Sequence, residues 1–254
     1  MHSEFRQRLL AGEQVFGTMV TLDSPEVVEV LCHLGFDWLF IETEHAPLLP
    51  DAVQRVVQAA GETPCLVRLP VGEEIAVKRV LDAGAAGIIV PQVNTAEQAR
   101  RIVEYAKYPP QGARGIGLNR ASAYGQRFAD YLAAANDGST VVVQAEHYEA
   151  VKNIEAICMV EGIDAVLIGP YDLSASMNRT GRLDDPEVVG AIAHVRDTCL
   201  ASGRRLGFFG VTPELVQPRA AEGFNLLCSA ADVTLLAGAG RELLNKLRES
   251  GDAS

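Results

Sequence analysis

Two short stretches concentrate the residues that could do chemistry. Glu42-Thr43-Glu44-His45 and Gln144-Ala145-Glu146-His147 each set at least one carboxylate and a histidine at the end of an apolar run. Asp172 follows a third run, in Gly169-Pro170-Tyr171-Asp172, and Arg68 interrupts the apolar Cys65–Leu69. Two carboxylates brought close, such as Glu146 and Asp172, repel each other unless a cation sits between them. A hard divalent ion with open water positions, Mg²⁺ or Mn²⁺, suits such a pair. Two solvated acids capping helices would give the same letters, so spacing alone leaves both readings open. His45 has Glu42 three residues before it, a carboxylate that could orient the imidazole and raise its basicity. Arg68 needs a partner, either a structural carboxylate or a substrate oxyanion.

The lysines are informative by their places. Lys78, Lys107, Lys152 and Lys246 all fall in helical segments or at helix ends, none at a strand end. A Schiff-base aldolase needs a desolvated lysine in its pocket, so no Schiff-base lysine is expected. The nucleophile elbow and the phosphate-binding P-loop are also absent.

These residues must be positioned by the elements around them. Short apolar runs, rich in β-branched residues, recur at Val15–Leu22, Phe36–Glu42, Cys65–Leu69, Gly87–Val93, Thr140–Glu146, Ala165–Gly169, Arg205–Val211 and Phe224–Ser229. Segments of helical periodicity separate them. Ser24-Pro25-Glu26, Thr95-Ala96-Glu97-Gln98 and Thr212-Pro213-Glu214 read as helix starts. Glycines such as Gly35 and Gly84 read as helix ends. Eight strand–helix units predict an α/β fold, a (β/α)8 TIM barrel, forming one domain over residues 1–254. In that fold chemistry gathers at the C-terminal ends of the strands, where Glu42, Arg68, Glu146 and Asp172 all fall. An open doubly wound sheet would usually carry a Gly-rich loop after its first strand; here Leu22-Asp23-Ser24-Pro25 follows. The stretch from Tyr108 to Arg127, rich in Gly, Pro and Arg, reads as a long loop after the fourth strand. Its arginines are candidates for the distal end of a substrate, with an ordered surface loop or subunit contact as the plainer reading. The C-terminal helix, Val233 to Arg248, carries an apolar face expected to cover the barrel, with swapping onto a neighbouring subunit as the alternative.

Composition sets the outer limits. The 254 residues are 48% hydrophobic and 22% charged, a globular mixture with ample core material. A net charge of −11 lacks the footprint of a nucleic-acid binder or of a protein seated on an anionic membrane. No long apolar run occurs at the N-terminus, so neither a signal peptide nor a membrane span is expected. Five scattered cysteines, with no CxxC pair, fit reduced thiols and a cytoplasmic location.

At these same residues the sequence resembles the HpcH/HpaI family of class II, metal-dependent 2-oxo acid aldolases. The resemblance rests on GFDWLFIETEHAP (35–47), PCLVRLP (64–70), VKRVLDAGAAGIIVPQV (77–93), YPPQGARGIGLNRAS (108–122), VVVQAE (141–146) and VEGIDAVLIGPYDLSASM (160–177). It implies a TIM barrel assembled as a trimer-based homohexamer, with a 2-oxo acid and an aldehyde as small-molecule partners. By that resemblance Glu146 and Asp172 hold a divalent metal (Mg²⁺, Mn²⁺ or Co²⁺), and His45 is the general base. Arg68 steadies the enolate, Gln144 contacts the substrate, and Asp82 raises the basicity of the histidine. The backbone from Gly169 through Pro170 and Tyr171 to Asp172 lies where the pyruvate carboxylate is held. Three residues depart from the family pattern: Glu42 stands where Asp is common, Thr43 where Gly is frequent, and Tyr171 where the best-known members have a small residue.

The expected activity is reversible aldol cleavage of 4-hydroxy-2-oxo acids to pyruvate or hydroxypyruvate plus an aldehyde. A citrate-lyase-like acyl-CoA lyase is the alternative, with Arg114, Arg120 and Arg127 as candidates for CoA phosphates. A barrel kept only as a binding or assembly module is a third reading, supported by Glu42 alone.

Overall fold

The computed structural model describes residues 3–249. Eight strands form a closed, all-parallel barrel in sequence order. They are β1 (Val15–Val20), β2 (Trp38–Glu42), β3 (Cys65–Arg68), β4 (Gly87–Val90), β5 (Thr140–Ala145), β6 (Ala165–Ile168), β7 (Arg205–Gly210) and β8 (Leu226–Ala231). The helices are α1 (Ser3–Ala11), α2 (Pro25–His33), α3 (Pro50–Ala59), α4 (Glu74–Asp82), α5 (Ala96–Ala106) and α6 (Phe128–Gly138). They continue as α7 (Tyr148–Lys152), α8 (Ile154–Cys158), α9 (Pro170–Ser176), α10 (Pro186–Ala201), α11 (Pro213–Ala221) and α12 (Asp232–Glu249). The (β/α)8 expectation is met.

The strands are short and apolar because both faces are covered, the outer by helices and the inner by the barrel's own side chains. Inside, Trp38, Phe40, Leu66, Ile89, Val142 and Leu167 form one cluster. Trp38 fits only because residue 17 is glycine: a Cβ there would stand 2.6 Å from the indole. Helix α1 closes the N-terminal mouth with Phe5 and Leu9, and Arg6 grips Asp164 through Nε and Nη2 at 2.8–3.1 Å. The outer cluster joins strand residues such as Val67 and Val143 to Val53, Val77 and Ile102 of the helices.

Local signals explain the helix ends. Ser24 Oγ accepts the Val27 N–H at α2, and Thr95 with Gln98 forms a full capping box at α5. Thr212 stands at the N-cap of α11, but its hydroxyl caps nothing. Gly35 and Gly84 end α2 and α4 in the left-handed region, as read from the sequence.

Two expectations are corrected. The 108–127 segment does not extend from β4 onto the active rim. Helix α5 lies between and returns the chain to the N-terminal end of the barrel, where a 3₁₀ turn at Arg120–Ser122 packs on α4 and α6. The C-terminal helix does not cover the barrel either. Asp232 is buried, holding Thr21 and Leu22 N–H groups at 2.8 and 2.9 Å, but every residue from Val233 to Glu249 is exposed. Among the described residues no helix is long and apolar enough to cross a membrane.

Candidate active site

The C-terminal ends of β2, β3, β5 and β6 bring the sequence-identified residues together. A cavity of about 150 Å³ opens there, lined by His45, Arg68, Gln144, Gly169, Tyr171 and Asp172, with Pro170 beside them. Its apolar walls are Phe40, Leu167 and Phe209. Phe40 and Phe209 meet edge to face, ring centroids 6.2 Å apart, which fixes the floor.

Glu42 is buried, 2% exposed, at the last position of β2. One oxygen, Oε2, accepts Arg68 Nε at 2.6 Å and also pairs with Nη2. The other, Oε1, accepts the backbone N–H groups of Glu44 at 2.6 Å and His45 at 2.9 Å. Glu42 therefore shapes the turn that carries His45, and its carboxylate is committed to the backbone and to Arg68. Orientation of the imidazole by Glu42, expected from the three-residue spacing, is thus corrected: the carboxylate holds the main chain of His45. Arg68 finds its structural carboxylate in Glu42, lies 3.4 Å from Glu44, and stacks 5.4 Å from the Phe40 ring centroid. It also lines the cavity. Thr43 returns its N–H to the Arg68 carbonyl at 3.2 Å, tying the two strand ends together.

Glu146 follows β5 and is 2% exposed. Its Oε1 accepts the Gln92 backbone N–H at 2.8 Å, and its Oε2 accepts Gln144 Nε2 at 2.5 Å. Burial pushes its carboxyl up to about 7, and Glu44 and Asp172 nearby push the same way; the Gln92 bond and Arg68 oppose them. Burial also raises Glu44 above the ordinary carboxylate range. Gly169 makes room for this group: a Cβ there would stand 2.9 Å from Glu146 Oε2 and 3.3 Å from Gln144 Nε2. Asp172 lies exposed in the first turn of α9.

The donor set suits a hard divalent cation. A buried carboxylate has two further acids beside it, and Gln144 Oε1 is buried with no partner. Among the described residues no three His, Cys, Asp or Glu side chains form a ready cage. Two carboxylates would leave most positions to water and substrate, as Mg²⁺ and Mn²⁺ prefer.

Asp82 is not brought to this site. It is the last residue of α4, which runs back along β3 to the opposite end of the barrel. There it pairs with Arg114 Nη2 at 2.5 Å. Within the chain it cannot raise the basicity of His45. Arg114 also bonds Tyr131, and Arg120 donates to the Ala83 carbonyl, so neither reaches the cavity. His147 caps α7 by accepting the Glu149 N–H at Nδ1. Four contributors went unread in the sequence: Phe209, Leu167, Phe40 and the main chain of Gln92. Alternation along β6 and β7 could have pointed to the first two. Nothing in the sequence marks Gln92, whose φ is +54°.

A (β/α)8 barrel with buried carboxylates, an arginine and a histidine around one C-terminal cavity has the layout of a TIM-barrel enzyme. The family model for HpcH/HpaI aldolase/citrate lyase matches residues 16–239, and the chain belongs to that family. It is 40% identical, over 98% of its length and 93% of the relative's, to a hydroxypyruvate/pyruvate aldolase of Cupriavidus necator. It is 36% identical to a 2-keto-3-deoxy-L-rhamnonate aldolase of Escherichia coli, over 94% and 91% of the two chains. A crystal structure of an HpcH/HpaI aldolase/citrate lyase family protein from Burkholderia cenocepacia superposes with a TM-score of 0.93 at 34% identity, covering 97% and 99%. The protein is a carbon–carbon lyase.

Proposed function

We propose that the protein is a class II pyruvate aldolase that cleaves 4-hydroxy-2-oxo acids reversibly to pyruvate, or hydroxypyruvate, plus an aldehyde. The observation that carries this reading is the buried Glu146, held by Gln144 and packed against Gly169, two residues of the cavity that His45, Arg68 and Asp172 also line. The names of the relatives agree with it.

Glu146 and Asp172 would hold the divalent ion, Mg²⁺, Mn²⁺ or Co²⁺. When bound, the ion supplies Lewis-acid polarisation of the 2-oxo group and offsets the charge of the two carboxylates. The protein's own residues do the rest. Gln144 and the Gln92 N–H fix Glu146 in one orientation. Arg68, preset by Glu42, faces the keto oxygen as negative charge develops there, and needs no reorganisation to do so. His45 takes the proton from C3 of pyruvate in the synthetic direction and from the 4-hydroxyl in cleavage. Tyr171 and Phe209 bound the space beyond C3, where the aldehyde enters. None of the four lysines lines the cavity, which supports a route without a Schiff base.

The acyl-CoA lyase reading is the weaker one. Of the arginines that it needs for CoA phosphates, Arg114 and Arg120 lie at the other end of the barrel and are engaged there, and Arg127 stands at the N-cap of α6. Glu42 also gives no support to a barrel that has lost catalysis, because its longer side chain completes a full set of bonds.

The partners are small molecules, not nucleic acid or membrane, and the assembly is a trimer-based homohexamer in the cytoplasm. The exposed leucines of α12, Leu236, Leu243 and Leu247, support self-association. Five free cysteines support a reducing compartment. The test is an aldehyde panel offered with pyruvate and with hydroxypyruvate under Mg²⁺, Mn²⁺ and Co²⁺, with CoA esters in parallel. Aldol addition with either 2-oxo acid supports the reading. Turnover of CoA esters alone overturns it.

A further inference from the structure

We propose that Gln92 is a positioning residue for the metal-binding carboxylate, acting through a left-handed backbone turn that aims its N–H at Glu146. The inference rests on the metal-dependent reading above and assigns a role to a residue outside it. The N–H of Gln92 meets Glu146 Oε1 at 2.8 Å, while Gln144 takes Oε2 at 2.5 Å. Each carboxylate oxygen thus has one fixed donor and keeps a second lone pair beyond it.

The geometry is not free. Gln92 sits two residues beyond β4 with φ +54°, in the left-handed region that L-residues other than glycine rarely adopt. Such strain persists only when the surroundings enforce it. Here they do: Pro91 and Val93 on either side are buried. Two N–H groups further on, of Asn94 and Thr95, are both held by Gln98 Oε1 at 2.7 and 3.0 Å. The strand therefore stops at Val90, reverses its peptide at Gln92 and presents one N–H inward over the barrel mouth. The Gln92 side chain is exposed, so the main chain is the part that reaches the carboxylate. A residue that resists the left-handed region would rotate that N–H away and release Glu146.

The test is Mn²⁺ binding to the chelator-stripped full-length protein, read from the free-ion electron paramagnetic resonance signal. The series is Gln92→Gly, Gln92→Asn, Gln92→Ala and Gln92→Val, in rising order of left-handed cost. Ala123, on the opposite face with φ +51°, supplies the control Ala123→Val. The Kd should stay within about 3-fold of the parent for Gly and Asn. It should weaken stepwise through Ala to at least about 10-fold for Val, while Ala123→Val leaves it unchanged. If Gln92→Val does not fold, the Ala variant against Gly and Asn still decides. Equal Kd values across the series would overturn the inference, as would an equal loss in Ala123→Val. Failure of the parent protein to bind Mn²⁺ would instead overturn the metal-dependent reading itself.

Discussion

Glu42 grips the main chain of His45 and leaves the ring alone: its Oε1 accepts the His45 N–H at 2.9 Å, while its Oε2 is taken by Arg68. The residue next to the base thus serves the arginine. Glu42→Gln keeps the turn's acceptor but loses the charge facing Arg68. Turnover should fall about 10- to 100-fold, an effect on the scale of a misplaced catalytic group. The acidic limb of the kcat/KM pH profile should stay where it is. A limb shifted by a full unit would show that Glu42 acts on the imidazole after all.

His45→Ala removes the proton carrier and leaves Glu146 and Asp172 in place. Aldol turnover should drop about 10²–10⁴-fold. Mn²⁺ affinity, measured by calorimetry, should remain within a few-fold. Unchanged turnover would remove His45 from the chemistry.

The pH dependence of metal binding follows from Glu146. In the metal-stripped protein its carboxyl is pushed up to about 7 by burial, above the ordinary value of 4.5. The folded state therefore holds a proton that the unfolded state has lost between about 4.5 and 7, and apo stability falls as pH rises through that window. The cation must displace the same proton. Mn²⁺ affinity should climb with pH up to about 7 and then level off. A titration series from about pH 5.5 to 8 checks this, and a flat Kd would contradict the burial argument.

Much of this site could be read from the letters, and the misses have physical causes. Eight apolar runs gave eight strands because buried parallel strands need unbroken hydrophobicity. The same rule overshot at Val93: Pro91 and Val93 are buried loop residues, and burial, not strand geometry, makes them apolar. Glu146, Asp172 and Arg68 were legible because charge at the end of an apolar run has few structural uses. Asp82 was carried over by resemblance alone, and chain direction places it at the other mouth of the barrel. Gln92 was invisible, since a backbone N–H in a left-handed turn leaves no trace in side-chain type. Helix α12 read as an ordinary amphipathic cover because a leucine stripe does not say whose surface it covers.

That stripe gives a prediction of its own. Leu236→Glu, Leu243→Glu and Leu247→Glu together should dissociate the assembly without unfolding the barrel, since none of the three is buried within the chain. Sedimentation should show the parent as a hexamer and the variant as smaller species with unchanged far-ultraviolet circular dichroism. A parent that sediments as a monomer would refute the assembly.

The most direct measurement is deuterium exchange into the pyruvate methyl group, followed by proton NMR, with borohydride trapping alongside. Exchange should require Mn²⁺ or Mg²⁺, stop with chelator, and fall sharply in His45→Ala, with no pyruvate fixed to the protein by borohydride. Exchange that survives complete chelation, or covalent trapping on a lysine, would contradict a metal-dependent aldolase built on Glu146, Asp172, Arg68 and His45.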